Sequence, residues 1–289
     1  MILEESAISA IGEILMLEDH RRFDEATLRG LADHPSEEVR RRAATAAGRI
    51  GDAAAAPLLL TILREDPSPT VRADAAFALG LLGDTSAAVV RGLRSAAPPR
   101  WRPVREEETT VVVEVVAALA KLGTPEALQM LKDALRDAYP ARDPHSRRIA
   151  AEALVGMHAF RTAPGRVTSV APFLDLEDAE LRWRAAWTLF RIRDPAAVSH
   201  LVSRVGDEEH RVRAFAARGL SAPLADSAGR RADALAALTG ALEDRHPHVR
   251  INALGSLGGY GERAPRDAMA ALIHDPDSSV GVAAARAIA

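Results

Sequence analysis

The amino-acid sequence predicts an all-α, right-handed solenoid: a superhelix of about eight stacked helix pairs filling residues 1–289 as a single array. Three observations carry this. One short pattern recurs every thirty-odd residues, which marks units that bury their apolar faces against one another. Within each copy the apolar residues fall at helical spacing. The composition is 48% hydrophobic but only 4% aromatic. Such a core is built from Ala, Leu and Val. Ala is the best helix former, whereas a β-sandwich draws on β-branched and aromatic residues.

The pattern reads apolar, Arg, two variable residues, Ala-Ala, one variable, Ala-Leu-Gly, one variable, apolar-Gly-Asp. Its clearest copy is VRADAAFALGLLGD, from Val71 to Asp84. Others are VRRRAATAAGRIGD from Val39, LRWRAAWTLFRIRD from Leu181 and VRINALGSLGGYGE from Val249, with weaker copies from Val111, Ser146, Val212 and Val280. The motif Arg falls at Arg40, Arg72, Arg147, Arg182, Arg213 and Arg250, and Val112 and Gly281 replace it in the third and eighth copies. Successive spacings are 32, 40, 35, 35, 31, 37 and 31 residues, the length of a helix pair.

Taken in chain order, residues 5–18 carry Ile8, Ile11, Ile14, Leu15 and Leu17 on one helical face and are expected to cap the first repeat. The repeats then run from about Asp24 to Ala289. In each second helix the apolar positions, such as Val71, Ala75, Ala78, Leu79 and Leu82, follow i, i+4, i+7, i+8 and i+11, one face of an α-helix. Gly51, Gly83, Gly123 and Gly261 stand where a left-handed residue ends a helix. First helices are predicted over 53–65, 86–95, 125–136, 170–176, 195–205, 231–243 and 265–273. Thr124-Pro125 and Asp194-Pro195 are cap-plus-Pro starts. Asp33, Asp66, Asp207, Asp244 and Asp275 close these first helices.

Two insertions interrupt the array. The segment 98–108 holds Pro98, Pro99 and Pro103 around Trp101, which forbids helix. It is expected to protrude, with Trp101 either a docking contact or folded back on the helices. The segment 158–169 is read as a loose turn. The chain stops inside the eighth second helix without the polar cap a solenoid needs, which predicts a fragment of a longer chain.

The Asp…Val-Arg…Ala-Ala…Ala-Leu-Gly…Gly-Asp grammar resembles HEAT repeats, in particular the bacterial HEAT-like subgroup first noted in bilin lyases. The resemblance covers nearly the whole chain from about Asp24 onward. It implies that turn Asp residues pair with motif Arg residues between neighbouring repeats: Asp33, Asp66, Asp207 and Asp244 with Arg40, Arg72, Arg213 and Arg250. An Arg fork bonds a carboxylate bidentately. From Ile14-Leu15 through Gly51-Asp52 the chain is also similar to bacterial proteins that join HEAT repeats to a cyclophilin-type peptidyl-prolyl isomerase. No cyclophilin-like segment is present.

With 37 basic and 40 acidic residues the formal net charge is −3. That balance argues against nucleic acid as the main partner, since phosphate binding shows as a basic excess. Only Lys121 and Lys132 are Lys, which is what a GC-rich genome would produce, while Arg also suits interface pairing with carboxylates. The absence of cysteine excludes disulfides and thiolate chemistry. No basic leader or membrane-length apolar run is present, so a cytoplasmic protein is expected.

Catalytic motifs are missing: no phosphate-binding glycine loop, nucleophile elbow or His-Glu-x-x-His. No His precedes a Glu, the pair with which HEAT-like deoxyhypusine hydroxylases hold iron. His246-Pro247-His248 lacks the third ligand a metal needs and is read as a turn. No cofactor or metal is expected.

In HEAT arrays the second helices line the concave side. Trp183 and Trp187 lie four residues apart on one stripe. Arg184 and Arg191 adjoin them, with Phe215 and Arg218 one repeat on and Phe77 at the equivalent place in the second copy. Trp and Arg dominate interface hot spots. The aromatics either anchor a partner or fill gaps that Ala would leave. The expectation is a non-catalytic scaffold that binds a protein or peptide through Trp183, Arg184, Trp187, Arg191, Phe215, Arg218, Phe77 and Trp101. The alternatives are a substrate-presenting module of an isomerase fusion, or a HEAT-like enzyme of the bilin-lyase or DNA-glycosylase type.

Overall fold

A computed structural model describes residues 4–102, 105–160 and 163–289. Among them there is no β-strand. Contacts divide the chain into two compact units, Met1–Ala159 and Phe160–Ala289.

The first unit contains α1 (Glu5–Asp19), α2 (Glu25–Ala32), α3 (Glu37–Ile50), α4 (Ala56–Glu65), α5 (Pro69–Leu82), α6 (Ala87–Ala96), α7 (Glu106–Leu122), α8 (Pro125–Ala138) and α9 (Pro144–Gly156). They form two layers. Helices α3, α5, α7 and α9 pack side by side, and α1 lies against α3 in the same layer. Helices α2, α4, α6 and α8 make the other. Caps follow the sequence signals. The Ser86 and Thr124 hydroxyls accept from the N–H groups of Val89 and Ala127, and Gly51, Gly83 and Gly123 end their helices at φ of 78°, 68° and 65°.

Small residues decide how closely the second helices approach. A Cβ added to Gly48 would stand 2.7 Å from the Cα of Ala78, and one at Gly80 would stand 2.9 Å from the Cα of Ala118. No relaxed structure holds carbons that close, so the Ala-Leu-Gly pattern is a packing requirement between successive repeats. Ala43, Ala44, Ala75, Ala76 and Leu79 are fully buried in this seam.

The second unit contains α10 (Arg166–Val170), α11 (Ala179–Ile192), α12 (Val198–Val202), α13 (His210–Gly219), α14 (Ala222–Ser227), α15 (Arg231–Ala241), α16 (Pro247–Leu257), α17 (Arg266–Ala271) and α18 (Ser278–Ile288). Helices α11, α13, α16 and α18 form its second-helix layer, and α12 and α15 pack in the other. Several first helices are broken: 3₁₀ turns occupy Ala171–Asp175, Pro195–Ala197 and Leu272–His274. Helix α14 has no counterpart in the repeat pattern.

The expected Asp–Arg ladder exists, in a different register. Arg40, Arg182, Arg213 and Arg250 each donate to a carbonyl of the turn before their own helix and, with other nitrogens, to the turn Asp of the following repeat. Arg40 thus bonds Asp66 at 2.8 and 3.2 Å, not Asp33. Arg182 bonds Asp207, Arg213 bonds Asp244 at 2.6 and 2.9 Å, and Arg250 bonds Asp275 at 2.9 and 2.7 Å. Arg72 meets the insertion where the next turn Asp would stand, and bonds Glu108 at 2.7 Å instead. Where Val112 replaces the Arg, Thr109 hydrogen-bonds His145 at 2.7 Å, and Arg148 pairs with Glu106. Arg182 and Arg213 are only 4% and 6% exposed, so these are enclosed ion pairs.

The insertion does not present Trp101 to solvent. Trp101 is 1% exposed, with the Arg94 guanidinium 4.9 Å from its ring centroid. Arg94 donates to the carbonyls of Ala97, Pro98 and Pro99, so it pulls the proline turn back over the helix. The exposed docking role for Trp101 is therefore withdrawn. Pro103 and residues 161–162 of the second insertion lie outside the described residues. Gly261 also departs from expectation: at φ 64° and ψ −135° it kinks the chain between the short 3₁₀ turns of Gly258–Arg263 and does not take the left-handed helix-end conformation.

Candidate functional site

Helix α11 places Trp183, Arg184, Trp187, Phe190 and Arg191 at i, i+1, i+4, i+7 and i+8, which is one stripe. Helix α13 places Arg211, Phe215 and Arg218 on a matching stripe. The two helices are neighbours in the second-helix layer. Phe215 stacks between Trp183, at 6.1 Å between centroids, and Phe190, at 6.4 Å. The rings form a continuous floor across two repeats, each half-buried.

Guanidinium groups cover that floor. Arg184 and Arg211 lie 4.8 and 5.1 Å from the Trp183 ring centroid. Arg191 stands 5.8 Å from the Trp187 ring and Arg218 4.8 Å from the Phe190 ring. Each is within the range of cation–π attraction. The Trp183 indole N–H donates to Glu180 at 2.6 Å, and Glu180 also accepts from Arg184 and Arg211. Partial burial opposes the Glu180 charge, but these donors outweigh it and hold the carboxyl below its usual range.

The four arginines thus divide into two kinds. Arg184 and Arg211 are neutralised by Glu180 and Glu209. Arg191 and Arg218 are exposed, and among the described residues neither meets a carboxylate within 4.0 Å. The surface carries two uncompensated cations on an aromatic base, and Trp183, engaged on its faces and at its N–H, belongs to the base.

The residues chosen from sequence are partly assembled here. Trp183, Arg184, Trp187, Arg191, Phe215 and Arg218 lie on these two helices. Phe77 sits in the first unit, on α5, beneath the Lys121 ammonium at 4.4 Å. Trp101 is core. Sequence reasoning missed Phe190, Arg211 and Glu180, although Phe190 stands seven residues after Trp183 and Arg211 four before Phe215.

A second recess, of about 210 Å³, lies in the first unit among Ile11, Leu15, Arg41, Arg42, Arg49 and Asp74. Every guanidinium in it has a carboxylate: Arg41 with Asp74, Arg42 with Glu38, Arg49 with Glu18. Burial and the nearby Glu152 charge raise the Glu114 carboxyl above its usual range, and burial likewise raises Asp74. His246 stacks on His210 at 4.0 Å and meets His248 edge-on at 5.2 Å. No three His, Asp or Glu side chains among the described residues converge as metal ligands do, and no helix among them is long and apolar enough to cross a membrane.

The layered helix pairs and the Arg–Asp ladder define a repeat solenoid. The family model of HEAT repeats matches residues 5–80, 25–106, 167–244 and 207–289, and the model of the PBS lyase HEAT-like repeat matches residues 111–137. The chain belongs to the HEAT-repeat family. No curated protein matches it. Among solved structures, the YibA protein of E. coli is 15% identical with a TM-score of 0.58, over 100% of this chain and 98% of that one. An engineered protein is 19% identical with a TM-score of 0.54, over 91% and 77%. The CpcE–CpcF complex of phycocyanin lyase from Nostoc is 21% identical over 80% and 91%, with a TM-score of 0.42. The likenesses to YibA and to the engineered protein concern the fold.

Proposed function

We propose that the chain is a non-catalytic scaffold that binds a protein or peptide on the second-helix layer of its second unit, through Trp187, Arg191, Phe215 and Arg218 on the base set by Trp183 and Arg184. One observation supports the reading most: the Trp187 and Phe190 rings of α11 carry guanidiniums from two successive repeats, Arg191 and Arg218, that have no internal carboxylate. A cation in the last turn of a helix suits its dipole, and two such cations set on aromatic rings are also what an interface uses, because Arg and aromatic side chains concentrate binding energy.

The test is site-specific photo-crosslinking in the source organism. An aromatic cross-linker replacing Trp187 is expected to capture a discrete protein, while one replacing the exposed Ser199 of α12, in the other layer, is not. Arg191→Ala with Arg218→Ala should abolish the adduct and leave the melting temperature unchanged. Equal capture from both positions, or capture that survives the double substitution, refutes the assignment.

A further inference from the structure

We infer that the segment this surface takes is acidic and extended, with carboxylates about three residues apart, one for Arg191 and one for Arg218. This rests on the interaction reading above and specifies its partner.

The charge argument comes first. Across the surface, Glu180 answers Arg184 and Arg211, and Glu209 also answers Arg211. Arg191 and Arg218 are left over, one from each of two adjoining repeats. Each is poised over a ring, Trp187 or Phe190, that restricts its rotamers before any ligand arrives. A guanidinium pre-ordered in this way loses less freedom when it forks onto a carboxylate. The recess of the first unit makes the contrast: its three arginines are all answered from within, so it holds no unspent positive charge for an acidic partner.

The spacing argument comes second. Packed helices lie about 8–10 Å apart, and a polyproline-II segment rises about 3.1 Å per residue with three residues per turn, so side chains three apart share a face. Such a segment crossing from α11 to α13 therefore advances about three residues, one full turn, between the two helices. Its carboxylates belong at i and i+3, on the one face turned to Arg191 and Arg218.

The partner is a peptide and not a nucleic acid because of what surrounds the pair. Glu208 beside the ladder is 83% exposed at its side chain, Glu180 and Glu209 flank the floor, and the whole chain carries net charge −3. A phosphate backbone presents charge continuously and needs a basic stripe. Two isolated carboxylates need only two cations.

Fluorescence anisotropy on the intact chain tests this with three labelled nonapeptides: Gly-Glu-Pro-Val-Glu-Pro-Val-Glu-Gly, and the same sequence with Gln or Lys in place of Glu. The Glu probe is expected to bind roughly tenfold or more tightly than the Gln probe at low salt, and to weaken as salt rises. Arg191→Glu with Arg218→Glu should reverse the order, so that the Lys probe binds best. Equal binding of all three, or preference for Gln or Lys by the unaltered chain, overturns the acidic assignment. Tighter binding of an oligothymidylate that depends on the same two arginines overturns it too. If the acidic assignment fails while the cross-linker at Trp187 still captures a protein, the scaffold reading survives. If no probe binds and nothing is captured, both fall together.

Discussion

At Arg213 one guanidinium meets three acceptors. It bonds the carbonyls of Asp207 and Glu208 at 2.9 and 3.0 Å and forks onto the Asp244 carboxylate of the next repeat. The side chain thereby ties its own turn to its neighbour's. Burial opposes the Asp244 charge, but the hydrogen bonds from Arg213 and the His246 N–H outweigh it and hold that carboxyl below its usual range. A pair this enclosed need not stabilise relative to apolar residues, but removing one partner strands the other. Arg213→Ala is therefore expected to cost about 3–5 kcal/mol, read as a lower urea midpoint, with protection lost first where α13 meets α16. Arg213→Lys should recover little, because an ammonium cannot fork onto the carboxylate and still reach both carbonyls. By contrast Arg191 and Arg218 should be silent in the same melts, which separates ladder arginines from surface ones.

Among the elements, the second helices were the most legible in the sequence and the first helices the least. A second helix follows a local rule, with apolar residues at helical spacing and Gly at its end, and α3, α5 and α7 obey it. First helices answer to the register of their neighbours. Three of those in the second unit break into 3₁₀ turns, and α14 appears where no motif marked it. The site was legible as a stripe on α11, since Trp183 and Trp187 are visible at spacing four. That Trp101 is buried was not, because it depends on Arg94 gathering three loop carbonyls. Nor was the division of the site arginines into paired and unpaired, which depends on Glu180 reaching both α11 and α13. Helix α11 also breaks its own rule. Arg193 takes the left-handed place, at φ 56° and ψ 43°, that Gly51, Gly83 and Gly123 fill elsewhere. A side chain there costs about 1–2 kcal/mol, offset in part by the greater chain entropy of Gly. Arg193→Gly should therefore stabilise the second unit by about 0.5–1 kcal/mol, measured by chemical denaturation, and a loss of stability would show that the Arg193 side chain holds a contact of its own.

Across the whole molecule the titratable groups are unevenly placed, and the two units should answer acid differently. In the second unit Glu180, Glu209, Asp244 and Asp275 are all held below the usual carboxylate range, Asp275 chiefly by hydrogen bonds from Arg250. Their stabilisation is present above the unfolded value of about 4 and is lost as pH falls through the lower folded values. Burial and the neighbouring His210 and His248 hold the His246 imidazole below its usual range. The unfolded chain therefore takes up that proton first, and stability begins to fall near pH 6.5, roughly the unperturbed value. In the first unit Asp24, Glu37 and Asp143 behave like the carboxylates of the second, but Asp74 and Glu114 have the opposite sign. Their folded forms bind protons more readily than the unfolded chain, so acidification relieves a cost as pH falls through their raised folded values. Hydrogen exchange of the intact chain, corrected for intrinsic rates, should show protection in α13 and α16 falling as pH drops below about 6.5, ahead of α5 and α7. Glu114→Gln should raise the stability of the first unit at pH 7, and the gain should vanish once acid has neutralised the native carboxyl. Earlier loss of protection in α5 and α7 would mean that burial at Asp74 and Glu114 is matched by partners strong enough to reverse its sign.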